Sequence, residues 1–230
     1  MKNVHLGGRP LVTTTLPNGL RVVVCRSASA PVVALQVWVG VGSADETEAQ
    51  GGLAHVHEHM LFKGTQRPDG SGRKVGEIAA EIEKAGGEIN AWTSYDQTVY
   101  HVVLAKRFFD TGLDVLSDAI QRSAFDKDEL AKELEVILEE IKRSEDSPGS
   151  RASKALFETA FTQHPYRRPV IGYSEVVRAF TRDDVIAFFD AHYRADRMTV
   201  VAVGDVDPDT CVEKIAAALA DASTHGKPLS

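Results

Sequence analysis

The chain has 230 residues, 43% of them hydrophobic, and a formal net charge of −7 at pH 7, as expected for a globular protein of one large or two small domains. The acidic balance argues against nucleic acid or an anionic membrane as the main partner, and apolar runs such as residues 31–41 are too short to span a bilayer. Residues 1–10 lack the apolar core of a signal peptide, so no signal peptide is predicted and a cytoplasmic or a periplasmic location stays open.

The N-terminal part of the chain is predicted to form strands. Residues 11–16 and 20–26 are β-prone segments separated by a Pro-Asn-Gly turn. Residues 31–41 are rich in valine and contain Trp38, which is typical of a third strand. This close spacing predicts an antiparallel meander of the three strands.

Helices and one further hairpin follow. Apolar residues at helical spacing predict a helix over 52–62, and a second helix over 75–85 ends at a Gly-Gly pair. The later predicted elements are a hairpin of 88–93 and 98–105, helices over 108–121, 126–144, 153–161, 181–192 and 208–220, and a strand over 198–203. Because strands and helices come in groups instead of alternating, the sequence predicts an α+β fold, with a mostly antiparallel β-sheet covered by helices.

The first predicted helix carries three histidines and a glutamate within five positions. His55 and His59 are four residues apart, so they lie on one helical face, where two imidazoles can bind one cation. Glu58 can reach that face, whereas His57 points away. The pattern is the inverted H-x-x-E-H zinc motif, and Glu58 fits the role of a base that activates water. A helix with a solvated polar face is the alternative, because the motif fixes only three positions.

A catalytic zinc site usually has three protein ligands, so a third one is required. The long predicted helix offers five glutamates, which are Glu129, Glu133, Glu135, Glu139 and Glu140. Two of them, Glu133 and Glu140, are seven residues apart and share one face beside the apolar stripe of the helix. Carboxylates next to a buried stripe need a cationic partner. The alternative is a solvated charged face, which is expected for Glu129 and Glu135.

Three stretches, HVHEHMLFKGT, GGEINAWTSYDQTVYHVVL and ELEVILEEIKRSEDSP, resemble the pitrilysin (insulinase) family of zinc metallopeptidases, which includes the mitochondrial processing peptidases. The resemblance extends from about residue 15 to 207 and implies a zinc-dependent endopeptidase domain. It implies that His55, His59 and Glu140 are the Zn²⁺ ligands. It also implies that Glu58 is the general base and that Glu133 is an acidic residue supporting the ligands.

The resemblance further implies that a substrate-binding edge strand is formed by Asn90, Ala91, Trp92 and Thr93. An edge strand can bind an extended peptide by strand addition, which demands an extended conformation and gives weak sequence selectivity. An ordinary core or surface position is an equal alternative for Trp92.

The sequence departs from the family pattern at two places. His57 stands where the family usually has an apolar residue, and the expectation is a neighbouring surface position away from the metal. The connection over 67–74 is longer than in common members, which shifts the spacing to Glu140 and makes Glu139 the weaker candidate ligand.

Members of the family resemble a duplicated fold, in which two halves of about this chain's length face each other across a chamber. The resemblance implies that residues 1–221 are the metal-bearing N-terminal half and that 222–230 are a linker or tail towards a second half. The expected partners are a peptide or unfolded polypeptide substrate and a second homologous half, in cis or in trans, or a second copy of the chain. Neither a nucleic acid partner nor a membrane span is expected.

Two other functions were compatible with these residues. One is a non-catalytic half that only binds peptides or a partner, although such halves usually lack the full ligand set. The other is the activity of S-ribosylhomocysteine lyase, which shares the inverted motif but resembles a shorter chain with a cysteine as third ligand. Neither Cys25 nor Cys211 lies at a comparable place.

Overall fold

The structure is a computed structural model that describes residues 2–6 and 9–222, with side chains described from residue 11 onward. The predicted tail over 222–230 lies outside the described residues, apart from Ala222. No helix in the described part of the chain is long and apolar enough to cross a membrane.

In the described residues, seven strands form one sheet. They are β1 (Lys2–Leu6), β2 (Arg9–Thr15), β3 (Arg21–Arg26), β4 (Val32–Val39), β5 (Glu88–Thr93), β6 (Thr98–Ala105) and β7 (Met198–Gly204). The strand order is β1-β2-β3-β7-β4-β6-β5. Among these described strands, β3 and β7 pair in parallel and every other neighbouring pair is antiparallel, which confirms the prediction of a mostly antiparallel sheet.

The predicted meander is confirmed for its first pair, since β2 and β3 are antiparallel neighbours, and wrong for its second, since β3 and β4 are not neighbours. β7 lies between β3 and β4, so that Ala202 is opposite both Val24 and Leu35. β-Propensity is a local property and does not specify which strands become neighbours. Here a central position goes to a strand that is far away in sequence, whose alternate residues Met198, Val200 and Ala202 are buried.

The part of the chain that the structure describes has eight α-helices, which are α1 (Leu53–Met60), α2 (Glu77–Lys84), α3 (Phe109–Arg122), α4 (Lys127–Asp146), α5 (Pro148–Ala160), α6 (Ser174–Val177), α7 (Arg182–His192) and α8 (Pro208–Ala218). Local caps explain several of their ends. Asp126 accepts hydrogen bonds from the first N–H groups of α4, and Thr181 forms a capping box at the start of α7 with Asp184. α5 begins earlier than predicted, because Ser147 caps it and Pro148 fits the first helical position.

The helices cover one face of the sheet. The inward-facing residues of the four central strands form the core with this helical layer, and they are Val22, Val24, Val33, Leu35, Val37, Val39, Tyr100, Val102, Leu104, Met198, Val200 and Ala202. On the opposite face, Trp92, Val103 and Val203 are exposed. α1 lies against β5 and β6, and α4 and α7 pack against α1. This arrangement places the histidine-bearing helix between the sheet edge and the long helix.

Candidate metal centre

The two faces of α1 have different surroundings. Its core-facing residues, including Leu53, Val56 and Met60, are fully or almost fully buried. His55 and His59 lie on the other face, towards α4, with side chains that are 14% and 17% exposed. The apolar residues that fix the helix against the core therefore hold two imidazoles in a shallow, partly accessible position.

Glu140 of α4 faces these two imidazoles. Its Oε2 atom lies 3.8 Å from Nε2 of His55 and 3.7 Å from Nε2 of His59, and the three residues form a group whose ligand atoms lie within 4.8 Å of one another. A tetrahedral zinc ion with bonds of about 2.0–2.2 Å places its ligand atoms roughly 3.3 Å apart. The two separations from Glu140 are a few tenths of an ångström wider, and its side chain is only partly buried, so these donors lie close to the spacing that zinc requires.

The protonation state of His55 suits metal binding. Burial lowers the pKa of His55 to about 4, helped by the neighbouring His59, so the ring is neutral at physiological pH. A neutral imidazole has a free nitrogen lone pair for a metal. A solvated polar helix face, the alternative to a metal site, does not account for a largely buried, uncharged His55 opposite a carboxylate.

Glu133, two turns before Glu140 on the same face of α4, holds the orientation of His59. Nδ1 of His59 lies 3.0 Å from Oε2 of Glu133, and Nζ of Lys63 lies 2.6 Å from Oε1. Burial acts to raise the pKa of Glu133, but the hydrogen bonds from Lys63 and His59 hold it below its ordinary value. The carboxylate therefore accepts a hydrogen bond from the Nδ1–H of His59, which leaves the lone pair of Nε2 directed towards Glu140.

Lys63 is a residue of the site that the sequence analysis missed. It follows His59 by four residues in the segment just beyond α1. That i,i+4 spacing was the available signal, since it places the ammonium on the same side as His59.

Unlike Nδ1 of His59, Nδ1 of His55 is buried and has no hydrogen-bond partner among the described side chains and backbone.

Glu58 lies beside the ligand group and is half-buried. Burial raises the pKa of its carboxyl group, while a hydrogen bond with Thr93 and the charge of His59 act in the opposite direction. A carboxylate whose pKa is shifted towards neutrality can take and return a proton near pH 7. Because Thr93 is the last residue of β5, this hydrogen bond also places the sheet edge next to Glu58.

The expectation of a surface position for His57 is wrong, because its side chain is fully buried. It points to the opposite side of α1 from the ligand group, as expected, but that side faces α7. Its ring packs against Phe188 and Tyr193, and its nitrogens lie 2.7 Å from the carbonyl oxygen of Leu53 and 2.9 Å from that of Val185. His57 therefore acts as a core residue that joins α1 to α7.

β5 is an edge strand that pairs with β6, and no other described strand lies on its far side. Ala91 and Thr93 point to the helical side of the sheet. Asn90 and Trp92 point to the other face, where Trp92 is 36% exposed and packs edge-on against Trp38. The main chain of β5 is thus available for strand addition close to Glu58, while Trp92 lies at the surface of the sheet.

The sequence model described as "Insulinase (Peptidase family M16)" matches residues 21–174 of the chain. The chain belongs to the M16 peptidase family. A second model, described as "Peptidase M16 inactive domain", matches residues 179–229. These matches confirm the resemblance that the motifs indicated.

Known members give the same assignment. A probable mitochondrial-processing peptidase subunit beta from Arabidopsis thaliana is 38% identical over 202 residues, which are 88% of this chain and 37% of that protein. A protein from Rickettsia felis named an uncharacterized zinc protease is 34% identical over 197 residues, 86% of this chain and 47% of that protein. The crystal structure of a protease from Helicobacter pylori is similar with a TM-score of 0.88 and 28% identity, covering 95% of this chain and 52% of that one.

The chain spans about half the length, or less, of the relatives it matches. The chain shares its family and its helix-covered, mostly antiparallel sheet with peptidases. Because relatives are named zinc proteases, their names imply a zinc cofactor for the family. The Arabidopsis and Helicobacter proteins each contain room for at least one further unit of this size.

Proposed function

We propose that the chain is the zinc-binding, catalytic unit of an endopeptidase. The observation that carries the proposal is that Nε2 of His55 and Nε2 of His59, both on α1, lie within 3.8 Å of the same carboxylate oxygen, Oε2 of Glu140 on α4. In this proposal the three residues are the Zn²⁺ ligands. Two imidazole nitrogens and one carboxylate oxygen are the donor set of a catalytic zinc site. Three protein ligands leave the fourth position of the metal open for water or substrate.

The chain's own residues divide the work of peptide hydrolysis. When bound, zinc supplies Lewis-acid chemistry that activates water and polarises a carbonyl group. Glu58 takes a proton from the attacking water and returns it to the leaving amine. Glu133 and Lys63 keep His59 in the tautomer that presents Nε2. The raised pKa of Glu58 supports the assignment, because the carboxyl group must both accept and release a proton.

The proposed substrate is an extended peptide or a segment of unfolded polypeptide. Asn90, Ala91, Trp92 and Thr93 would bind it by adding a strand to the free edge of β5. The hydrogen bond between Thr93 and Glu58 supports this position, because it brings the end of the edge strand to the base.

We further propose that residues 1–221 act together with a second homologous unit. The support is the share of each relative that the chain covers, which leaves a similar length of chain unmatched in the Helicobacter protein. The second unit can lie in the same polypeptide, with 222–230 leading towards it, in another subunit or in a second copy of this chain. A non-catalytic half that only binds peptides is the alternative, and the complete set of proposed ligands argues against it.

The test compares the zinc-loaded chain with its Glu58→Gln variant. Both are incubated with an unstructured peptide mixture, and the products are identified by mass spectrometry. The expected result is zinc bound by both proteins and cleavage by the unchanged chain only. Cleavage by Glu58→Gln at the same rate would remove Glu58 from the mechanism.

A control covers the requirement for a second unit. If the zinc-loaded chain alone is inactive, the assay is repeated with the chain linked to the remainder of a longer relative, in which cleavage should appear. Failure of the unchanged chain to bind zinc would contradict the proposed site altogether.

A further inference from the structure

The start of the metal-binding helix lacks a local cap. Its N-cap residue is Gly52, which has a positive φ of 108° and no side chain with which to accept a hydrogen bond. The first N–H groups of any helix have no partner inside it, and at a buried helix end they require acceptors from elsewhere. These N–H groups directly precede His55, so their partners bear on the position of the proposed ligands.

Glu46 accepts hydrogen bonds from two of the N–H groups at the start of α1. Its Oε2 atom accepts a hydrogen bond from the N–H of Gly52 at 3.0 Å, and its Oε1 atom accepts one from the N–H of Ala54 at 2.7 Å. The residue is only 4% exposed. A buried carboxyl group that uses both oxygens on the first turn of a helix acts as a bidentate cap, although it stands six and eight residues before the groups it binds.

Arg168 anchors the segment that carries Glu46. The guanidinium group is almost fully buried and donates from Nη2 to the carbonyl oxygens of Ser43 and Glu46. Its charge also opposes the effect of burial, which raises the pKa of the Glu46 carboxyl group to about 8. The segment before α1 is thereby tied to the loop that contains Arg168.

Close backbone contact completes the arrangement. Gly172, four residues after Arg168, has a φ of 82°, and a Cβ atom there would collide with the carbonyl oxygen of Gly51. A Cβ atom at Gly52 would meet the carbonyl oxygen of Ile171 at 3.0 Å. The loop thus lies directly on the first residues of α1, to which the Glu46 carboxyl group is hydrogen-bonded, and its guanidinium group holds the segment that carries Glu46.

We propose that Glu46 is a positioning residue of the metal centre, which sets the register and tilt of α1 so that His55, Glu58 and His59 face Glu140. The inference deepens the proposed function and rests on it. Glutamine at this position would have nearly the same shape but would place an NH₂ group against a backbone N–H. The hydrogen-bonding pattern would then fail whatever the protonation state of Glu46.

The test measures metal affinity and ligand geometry instead of peptide cleavage. The unchanged chain and Glu46→Gln are titrated with zinc against a chelating indicator, and the visible spectrum of the Co²⁺-loaded form is recorded for each. We expect Glu46→Gln to bind zinc about tenfold more weakly, as is typical for residues that orient ligands, and to show a changed cobalt spectrum. Thermal unfolding of the metal-free proteins separates this effect from a general loss of stability.

Glu77→Gln is the matched control. Glu77 also accepts a hydrogen bond from a backbone N–H at the start of a helix, from Lys74 at 2.8 Å, but it is exposed and belongs to α2. This variant should bind zinc and cobalt like the unchanged chain. Equal affinity and an equal cobalt spectrum for a folded Glu46→Gln would overturn the positioning role and leave the metal site in place.

A second measurement applies if Glu46→Gln does not fold. Amide hydrogen exchange of the unchanged, metal-free chain should show protection at Gly52 and Ala54 comparable to that within α1. Rapid exchange at these two amides beside a protected α1 would exclude the cap. No zinc binding by the unchanged chain would overturn the proposed site and this inference together.

Discussion

The two faces of α1 use the same residue type for opposite purposes. His55 and His59 are partly exposed and face a carboxylate on α4, whereas His57, between them in sequence, is buried among aromatic rings and bonded to backbone carbonyl oxygens. The chemistry of an imidazole on this helix is therefore decided by which element packs against it. Variants on the two faces should have separable effects, on metal binding in one case and on folding in the other.

The largest expected effect is on the ligand face. Glu140→Ala removes the proposed third ligand and should weaken zinc binding at least about a thousandfold, which is about 4 kcal/mol. Zinc titration against a chelator measures this. Glu139→Ala is the matched control, because the neighbouring Glu139 side chain is 66% exposed and pairs with Lys142. Unchanged affinity in Glu140→Ala would assign the third ligand to another residue.

The opposite face should respond in stability. His57→Ala leaves a cavity between α1 and α7 and removes the contacts of the ring nitrogens with the carbonyl oxygens of Leu53 and Val185, so the free energy of unfolding of the metal-free chain should fall by about 3 kcal/mol. Urea unfolding followed by circular dichroism measures this. His55→Ala should cost much less stability in the same assay. A folded His57→Ala that has lost zinc binding would contradict the separation of the two faces.

A smaller effect is expected at the carboxylate that holds His59. Glu133→Gln keeps the shape of the side chain but weakens its hydrogen bond to Nδ1 of His59, so zinc affinity should fall about 10- to 100-fold. The measurement is the same chelator competition. Glu135→Gln, on a more exposed part of α4, should leave the affinity unchanged. A tighter zinc complex in Glu133→Gln would mean that the carboxylate competes with the metal for His59.

The smallest effect is expected at Lys63, which touches the site only through Glu133. Lys63→Met removes the charge but retains the apolar stem, and zinc affinity should fall by less than about tenfold. In the double variant with Glu133→Gln, the loss should be no greater than in Glu133→Gln alone, because the two residues act in series. Additive losses would show that Lys63 reaches the site by a second route.

The sequence predicted those parts of the molecule that depend on local pattern. The hairpin of β5 and β6 has the predicted bounds, since β-prone segments flank a short polar turn. The long helix α4 follows from the spacing of its apolar residues, and α7 lies within the predicted range of 181–192. The face shared by Glu133 and Glu140 follows from helical geometry, and the structure brings both residues to α1.

Non-local features were not readable in the same way. The strand β1 was not predicted, because its residues lack a clear apolar alternation. The place of β7 between β3 and β4 depends on which buried faces match after the chain has collapsed. His57 was expected at the surface because the aromatic residues that bury it, Phe188 and Tyr193, are distant in sequence and no local pattern predicts their contact with it.

The sequence by itself determined the spacing of His55, Glu58 and His59 on one helical turn, since an α-helix fixes which residues share a face. Only the tertiary structure decided that Glu140 meets the two imidazoles, that Glu133 and Lys63 orient one of them, and that Glu46 and Arg168 hold the start of the helix. The physical reason is distance along the chain. The most distant of these partners, Arg168, lies 108 residues beyond Met60, the last residue of α1. Packing, not local propensity, brings such segments together.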